Sequence, residues 1–309
     1  MDFNFFKLID KLYSVSSPFR RDVHYGRSKI IRKIAKYPFP LPINIIIEHG
    51  VDAVQIDLFE QKSKPNGYAV YSNKKAEDLR KLGKDNVIQI PDPFTYVVND
   101  DFKYLVNQVK TDLYSGRNKK LIFFYAHSTK SVVDERNSEE YFDVIRSYQK
   151  IYQVTVCLHF SDVQRGIGGL LSKALIEWIT IPQYPRSKFP YKFFEMVKNF
   201  DYAASTIPGS YLYYCIYVGI PFELVNLRPK LKNLTDKAQR KDFVGFFDEY
   251  PNSTAYELFC KKNKPLASIT KDQKDFVLEL LGYEGGNYDS GVVVKKIRKI
   301  LWSSLIWKR

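Results

Sequence analysis

Hydrophobic residues occur in short runs that alternate with helical patterns through most of the chain. Ile43–Ile47 and Val154–Leu158 are apolar at almost every position, and Lys119–Tyr125 contains the apolar run LIFFY. Such continuous runs are typical of parallel strands that are buried on both faces. A helical pattern over Ser138–Tyr148 separates two of them. This alternation of strands and helices predicts an α/β protein with parallel sheets.

Residues 189–225 contain the most regular succession of predicted elements. A helix over Phe189–Phe200, a strand over Asp201–Ala204, a helix over Tyr211–Val218 and a strand over Phe222–Val225 follow one another. The turn between the first strand and the second helix reads Ser205-Thr206-Ile207-Pro208-Gly209-Ser210. A hydroxyl- and glycine-rich turn that opens a helix can hold a phosphate, because free backbone N–H groups point at the anion. Serine and threonine are also ordinary helix caps, so the turn alone leaves both interpretations open.

The first part of the chain predicts a smaller layer of the same kind. Two short strands, Tyr68–Tyr71 and Val87–Ile90, flank a helix over Lys74–Leu82. Ser72 is expected to cap this helix, and Gly83 is expected to end it. We expect a small N-terminal domain over residues 1–115 and a second domain over residues 116–282, followed by a C-terminal helix within residues 283–309.

Two further helices are predicted in the second half. Gly166 is expected to open a helix over Leu170–Trp178. Val292–Arg309 reads as a basic amphipathic helix with two tryptophans and no acidic residue, a composition typical of helices that lie on a membrane surface. The same pattern also fits a helix that packs back on the first domain.

The net charge of the chain limits the kinds of partner that it is expected to bind. The 309 residues carry a formal net charge of +14, which indicates an anionic partner such as nucleic acid, a phosphorylated small molecule or a membrane surface. No apolar run reaches the roughly 18 residues that a membrane span needs. Cys157, Cys215 and Cys260 are widely spaced, which favours reduced thiols over a disulfide framework.

Three of the four histidines stand where an apolar strand run gives way to a loop. They are His49, His127 and His159, and the carboxyl ends of strands are where open α/β sheets bind ligands. Their spacing is not that of a compact metal site. The chain also lacks the G-x-S-x-G pattern of serine hydrolases and the G-x-x-x-x-G-K-[ST] pattern of P-loop enzymes.

The second half of the chain resembles the nucleotide-binding domain of GT-B glycosyltransferases, above all those of bacterial capsule and lipopolysaccharide synthesis. Leu121–Thr129 resembles the first strand and donor-facing loop of that domain, and Ala203–Pro221 resembles its hydroxyl pair, helix start and closing Gly-x-Pro. Val156–Asp162 is similar to the strand that ends in His-Pro in sialyl- and Kdo-type transferases, although Phe160 replaces the proline here. The first half matches more loosely, through Glu48-His49-Gly50.

This resemblance implies an α/β fold of two Rossmann-like domains of the GT-B type, the N-terminal one small, with the basic helix appended. It implies an inverting transferase that uses a nucleotide-sugar donor and no further cofactor, and the lack of a D-x-D motif in the sequence favours a reaction without a metal. The residues expected around the donor phosphate are His127, Ser128, Thr129, His159, Ser205, Thr206, Gly209 and Ser210. The base that deprotonates the acceptor hydroxyl is expected among His49, Glu48 and Asp52, in that order.

The resemblance further implies a saccharide or lipid-linked acceptor and a peripheral position on the cytoplasmic face of the cell membrane. Basic residues between Arg20 and Lys36 could reinforce the contact of the C-terminal helix with an anionic membrane. Two alternatives stay open: another enzyme of the same shape, such as a sugar-nucleotide epimerase or polyol-phosphate transferase, and a nucleic-acid-binding protein. No recognised nucleic-acid motif is present, so nucleic acid is not the expected partner.

Overall fold

A computed structural model describes residues 25–39, 41–48, 50–51, 63–99, 119–126, 132–135, 138–182, 185, 188–227, 230–233, 254–260, 268–283 and 289–303. These residues form two compact units. Unit 1 takes those within 1–107, 183–194 and 275–309, and unit 2 takes those within 108–182 and 195–274. The predicted boundary at residue 115 lies outside the described residues, and the predicted domain limits stay a prediction.

The strands and helices are numbered in chain order. The strands are β1 Ile46–Ile47, β2 Tyr68–Val70, β3 Val87–Gln89, β4 Lys120–Phe124, β5 Val132–Asp134, β6 Gln153–Leu158, β7 Glu177–Thr180, β8 Tyr202–Ser205, β9 Phe222–Leu224 and β10 Leu231–Asn233. The helices are α1 Arg27–Ala35, α2 Asn73–Lys81, α3 Pro93–Val98, α4 Ser138–Gln149, α5 Phe160–Gln164, α6 Ile167–Lys173, α7 Phe189–Val197, α8 Ser210–Tyr217, α9 Thr254–Phe259, α10 Lys271–Leu280 and α11 Ser290–Ser303.

Unit 1 is built on a parallel sheet in the order β1-β2-β3. Its middle strand is buried along its whole length, as a strand covered on both faces must be. The predicted cap of α2 is confirmed, because the Ser72 hydroxyl accepts a hydrogen bond from the Lys75 backbone N–H at 3.2 Å. Gly83 follows the helix with a φ of +72°, as predicted for the residue that ends it.

The C-terminal helix α11 packs against α1 in the core of unit 1. Val293, Ile297, Ile300 and Leu301 on one side of α11 are buried in a cluster with Ile30 of α1. The Arg298 side chain donates from Nε to the Ala35 carbonyl at 2.9 Å, at the end of α1 where the helix leaves carbonyls without internal partners. The basic amphipathic helix is therefore confirmed as far as Ser303, and one of its faces serves as packing structure.

Unit 2 contains a five-stranded parallel sheet in the order β7-β6-β4-β8-β9. The first strand of this sheet in chain order, β4, lies in the middle. Strands β6 and β7 are added on one side of it, and β8 and β9 are then added on the other. This is the strand order of a Rossmann-type half, and it reverses between β4 and β8. The predicted α/β class, with a small N-terminal parallel sheet and a larger second one, is confirmed.

The helix predicted over Leu170–Trp178 is wrong in its second half. Helix α6 ends at Lys173, Leu175 adopts a left-handed φ of +57°, and Trp178 lies in strand β7 opposite Val156 of β6. Tertiary packing decides this: a Cβ added to Gly168 would lie 2.6 Å from the Trp178 ring, so that glycine lets the indole pack against α6. Pairing of strands distant in sequence outweighs the local helical pattern.

A two-stranded antiparallel sheet was not predicted. Strand β5 pairs with β10, and Asp134 at its end lies opposite Leu231. The pairing brings together segments almost a hundred residues apart, in a part of the chain where the sequence reads as basic and polar. Both strands are three residues long, too short to show an alternating pattern.

We expect Gly282→Ala to destabilise the protein more than Gly83→Ala. Both glycines have a positive φ, so the strain of a left-handed alanine is common to both variants. A Cβ at Gly282 would also lie 2.8 Å from the Tyr71 carbonyl oxygen and 2.9 Å from that of Ile90, whereas no atom of a described residue lies within 4 Å of a Cβ at Gly83. The difference should be about 1–3 kcal/mol in the free energy of unfolding, measured by urea denaturation. Equal losses in the two variants would contradict this packing.

Candidate ligand site at the reversal of strand order

The carboxyl ends of β4 and β8 lie side by side at the point where the strand order of unit 2 reverses. Phe124 at the end of β4 is in register with Ser205 at the end of β8. Loops that leave two such strands move apart in opposite directions and open a crevice, which is where open α/β sheets bind their ligands. The loop after β8 is the predicted turn of residues 205–210, and it leads into α8 as predicted.

The Ser205 hydroxyl holds this turn in place. The side chain is fully buried, its Oγ donates to the Phe124 carbonyl at 2.8 Å, and the Ile207 N–H donates to it at 3.3 Å. The Tyr211 hydroxyl lies 3.1 Å from the same Oγ and donates to the Ile207 carbonyl at 2.7 Å, while its ring stacks on Phe124. Ser205 therefore joins the two strand ends, and the structure uses its hydroxyl to brace the turn.

Thr206 follows as a buried hydroxyl. The residue is 7% exposed, and its Oγ1 makes no hydrogen bond of normal geometry to any described residue. The Tyr141 hydroxyl, which interacts with Thr206, is hydrogen-bonded to Asp134 Oδ2. Burial and the Asp134 carboxylate raise the pKa of Tyr141 well above its ordinary value, and the interaction with Thr206 offsets only part of this rise. A buried hydroxyl without a good partner is costly, so Thr206 is the residue of the turn best placed to gain from a ligand.

The start of α8 is not an ordinary serine or threonine cap. Gly209 occupies the N-cap position in an extended conformation, and among the described residues no side chain caps the helix. A Cβ at Gly209 would lie 2.8 Å from the Tyr211 ring, so the position is kept small by packing. Ser210 is the first residue of the helix, next to this uncapped end. Uncapped backbone N–H groups carry the positive end of the helix dipole and favour an anion.

His159 lies at the carboxyl end of β6, the strand beside β4. It is the N-cap of α5, and its Nδ1 accepts a hydrogen bond from the Ser161 N–H at 3.2 Å. Because Nδ1 is the acceptor, the neutral ring carries its proton on Nε2. The side chain is exposed, so it both starts a helix and presents an imidazole at the same edge of the sheet.

A group of acidic and phenolic side chains at this edge was missed by the sequence analysis. Tyr125 directly follows β4, Asp134 ends β5, and Asp162 is 1% exposed in α5. Burial raises the pKa of Tyr125 above its ordinary value, and the nearby Asp134 and Asp162 raise it further. Both phenols stay protonated at neutral pH, and that of Tyr141 donates its hydrogen bond to Asp134. The signal available in the sequence was the position of Tyr125 and Asp162 just after two strand runs.

Glu48 directly follows β1 in unit 1, and its carboxylate is held by several contacts within the fold. It is 2% exposed, its Oε1 lies 3.1 Å from Lys75 Nζ, and its Oε2 accepts from the Tyr71 N–H at 2.6 Å. The Tyr71 hydroxyl in turn donates to the Glu48 carbonyl at 2.8 Å. This carboxylate thus links the end of β1 to the end of β2 and to α2. The other predicted site residues, His49, Asp52, His127, Ser128 and Thr129, lie outside the described residues.

Other chemistry at the described residues is limited. No group of three or more histidine, cysteine, aspartate or glutamate side chains among them is arranged to hold a metal ion. Cys157 and Cys215 are buried free thiols, and burial raises the pKa of Cys157 to about 12. Such a thiol is protonated and a poor nucleophile. No helix within the described part of the chain is both long enough and apolar enough to cross a membrane.

No protein-family model and no curated protein matches the chain. Among solved structures, a UDP-GlcNAc 2-epimerase from Neisseria meningitidis bound to UDP-GlcNAc is similar with a TM-score of 0.38 and 12% identity, over 78% of this chain and 62% of that one. A mutant of TarM from S. aureus, in complex with Fondaparinux, alpha-GlcNAc-glycerol and UDP, has a TM-score of 0.35 and 11% identity, over 84% of this chain and 50% of that one. The chain spans less than two thirds of either protein.

Proposed function

We propose that the protein binds a nucleotide-sugar at the carboxyl edge of the unit 2 sheet and transfers the sugar to a saccharide or lipid-linked acceptor. The observation that carries this proposal is the reversal of strand order between β4 and β8, with the turn of residues 205–210 opening the uncapped helix α8 at that point. The crevice at such a reversal suits a nucleotide, and the helix start suits its phosphate. The resemblance of Ala203–Pro221 to the donor site of GT-B transferases supports the same assignment.

The phosphate and the sugar of the donor contact different kinds of groups at this edge of the sheet. The phosphate lies at the start of α8, near Thr206, Gly209 and Ser210, where backbone N–H groups are the donors. The sugar hydroxyls lie toward Tyr125 and Asp162, because buried carboxylates and protonated phenols pair with hydroxyl groups and disfavour a second anion. His159 and the segment with His127, Ser128 and Thr129 complete the donor site in this proposal.

Transfer proceeds with inversion and without a metal. His49 is the proposed base, with Glu48 and Asp52 as the next candidates, and it takes the proton of the acceptor hydroxyl as that oxygen attacks the anomeric carbon. The bond from that carbon to the nucleotide phosphate breaks, and the charge on the leaving phosphate is stabilised at the start of α8. In this proposal the reaction is a step of bacterial surface polysaccharide synthesis. It takes place on the cytoplasmic side of the membrane.

Titration calorimetry with CMP, UDP, GDP and dTDP tests the nucleotide assignment. We expect one of the four to bind saturably at a single site and to raise the unfolding temperature. If none binds, the proposal fails. Product analysis with the matching nucleotide-sugars then separates the classes: a new glycosidic bond supports the transferase, and an epimerised donor without an acceptor product supports the epimerase alternative.

We expect Thr206→Val to weaken nucleotide binding without loss of stability. Valine has nearly the same shape as threonine, and it removes a buried hydroxyl that makes no good hydrogen bond to the described residues. The loss of one hydrogen bond to a charged phosphate should lower affinity roughly tenfold or more, while the unfolding temperature stays equal or rises. Calorimetry and thermal unfolding measure the two effects on the same sample.

Thr155→Val is the matched control. Thr155, in strand β6, is a buried threonine as Thr206 is, but its Oγ1 donates to Glu177 Oε2 at 3.1 Å. This control should lose about 1 kcal/mol of stability and keep its nucleotide affinity. A Thr206→Val variant that loses stability and keeps its affinity would show that the hydroxyl serves the fold alone.

A further inference from the structure

The outer face of α11 combines lysines with two large apolar side chains. Val292 and Trp302 are 46% and 49% exposed, and the side chains between them on the same face are the exposed Lys295, Lys296 and Lys299. Steps of three or four residues lead from Val292 to Lys295 and Lys296, from these two to Lys299, and from Lys299 to Trp302, which places all five in one row along the helix. The opposite row is buried, so α11 is fixed in unit 1 while this row faces outward.

The loop after α1 extends the same surface. Arg32 donates to the Pro38 carbonyl at 3.1 Å and to the Leu41 carbonyl at 2.6 Å, which fixes the loop. The loop presents Phe39, which is 49% exposed, and the Arg32 guanidinium lies 5.8 Å from the Phe39 ring. Tyr37 connects the two segments, because its ring meets that of Trp302 edge to face at 5.3 Å.

We propose that this outer surface, formed by Phe39, Val292, Lys295, Lys296, Lys299 and Trp302, binds the headgroup region of an anionic phospholipid bilayer. Three of the four large hydrophobic side chains that are strongly exposed among the described residues of unit 1 belong to it, the fourth being Leu82. Exposed lysines Lys33 and Lys36 of the α1 segment add positive charge beside the loop. Lysines around exposed aromatic and aliphatic side chains match a surface that is anionic outside and apolar beneath.

Protein partners and nucleic acid fit less well. A protein interface has a core depleted in lysine, whereas here lysines lie between the apolar side chains. The phosphates of a nucleic acid would pair with the lysines, but the apolar side chain of Val292 would stay exposed to solvent. This inference concerns unit 1 alone and does not depend on the nucleotide site.

The test is co-sedimentation of the full chain with vesicles of phosphatidylcholine alone or with phosphatidylglycerol added. We expect binding to the anionic vesicles, loss of that binding at high salt, and little binding to neutral vesicles. Replacing Lys295, Lys296 and Lys299 by glutamine should weaken it on the order of 100-fold, since each lysine near an anionic surface contributes roughly fivefold. Phe39→Ala combined with Trp302→Ala should weaken it roughly tenfold or more.

Two control variants make the result specific. Lys74, Lys150 and Lys173 are exposed lysines elsewhere, and their replacement by glutamine removes the same charge. Leu82→Ala removes an exposed apolar side chain outside the surface. Both controls should bind vesicles as the unaltered chain does. If the controls lost as much vesicle binding as the test variants, the proposal would be overturned. It would also be overturned if the variant without Lys295, Lys296 and Lys299 lost binding to duplex DNA but kept its binding to vesicles. Thermal unfolding of the lysine variants and nucleotide affinity of every variant should be unchanged, which separates this result from failure of the nucleotide site.

Discussion

Glu48→Ala is expected to lower the free energy of unfolding by about 3–5 kcal/mol, the cost of leaving one member of a buried ion pair without its partner. The Lys75 ammonium is 8% exposed and lies 3.1 Å from the Glu48 carboxylate, so alanine would leave a buried cation behind. It would also remove the acceptor of the Tyr71 N–H. Calorimetric or urea-induced unfolding measures the effect.

Glu77→Ala is the control for this loss. Glu77 is exposed on the same helix as Lys75 and should cost little on replacement. The double variant Glu48→Gln with Lys75→Met should recover much of the stability, because no buried charge remains unpaired. If Glu48→Ala unfolded with the same midpoint as Glu77→Ala, the ion pair would not be holding the strand ends of unit 1 together.

His49→Ala is expected to lower sugar transfer by about 10²–10⁴-fold while nucleotide binding is kept. The expectation follows from the proposed function, in which His49 is the base and the donor is held by residues of unit 2. His49 stands between Glu48, whose carboxylate is fixed, and Gly50, whose φ is +84°. Steady-state transfer rates and calorimetry on the same variant separate catalysis from binding.

His24→Ala provides a matched histidine control, since no role is assigned to that residue. It should keep both turnover and affinity. The pH dependence of the transfer rate tests the role of His49 as a base. The rate should fall as the pH drops through the pKa of the base, and the His49→Ala variant should lose that dependence. Near-normal turnover of His49→Ala would remove this residue from the mechanism and move the role to Glu48 or Asp52.

The local pattern was sufficient where one segment sets its own conformation. Continuous apolar runs located β4 and β6, and Ser72 with Gly83 located both ends of α2. The small-residue turn of residues 205–210 was placed between a strand and a helix as predicted. These features depend on neighbours within a few residues, through capping, backbone freedom and period.

The sequence could not show what the side chains of the candidate site contact. Ser205 and Thr206 are adjacent hydroxyls of similar chemistry, yet one braces two strand ends and the other is buried without a good partner. Ser205 has the bracing role because its hydroxyl donates to the Phe124 carbonyl, 81 residues away in the chain. The group around Tyr125 and Asp162 was missed for the same reason, because it assembles from separate loops.

Sequence by itself therefore determined the α/β class, the existence of most strands and helices, and the amphipathic character of α11. Tertiary structure alone decided the strand order, with its reversal between β4 and β8, and made Trp178 part of a strand rather than a helix. It also decided which face of α11 is buried and which faces outward. The physical reason is that period and capping are local energies, whereas strand pairing and burial are gained only between segments that are distant along the chain.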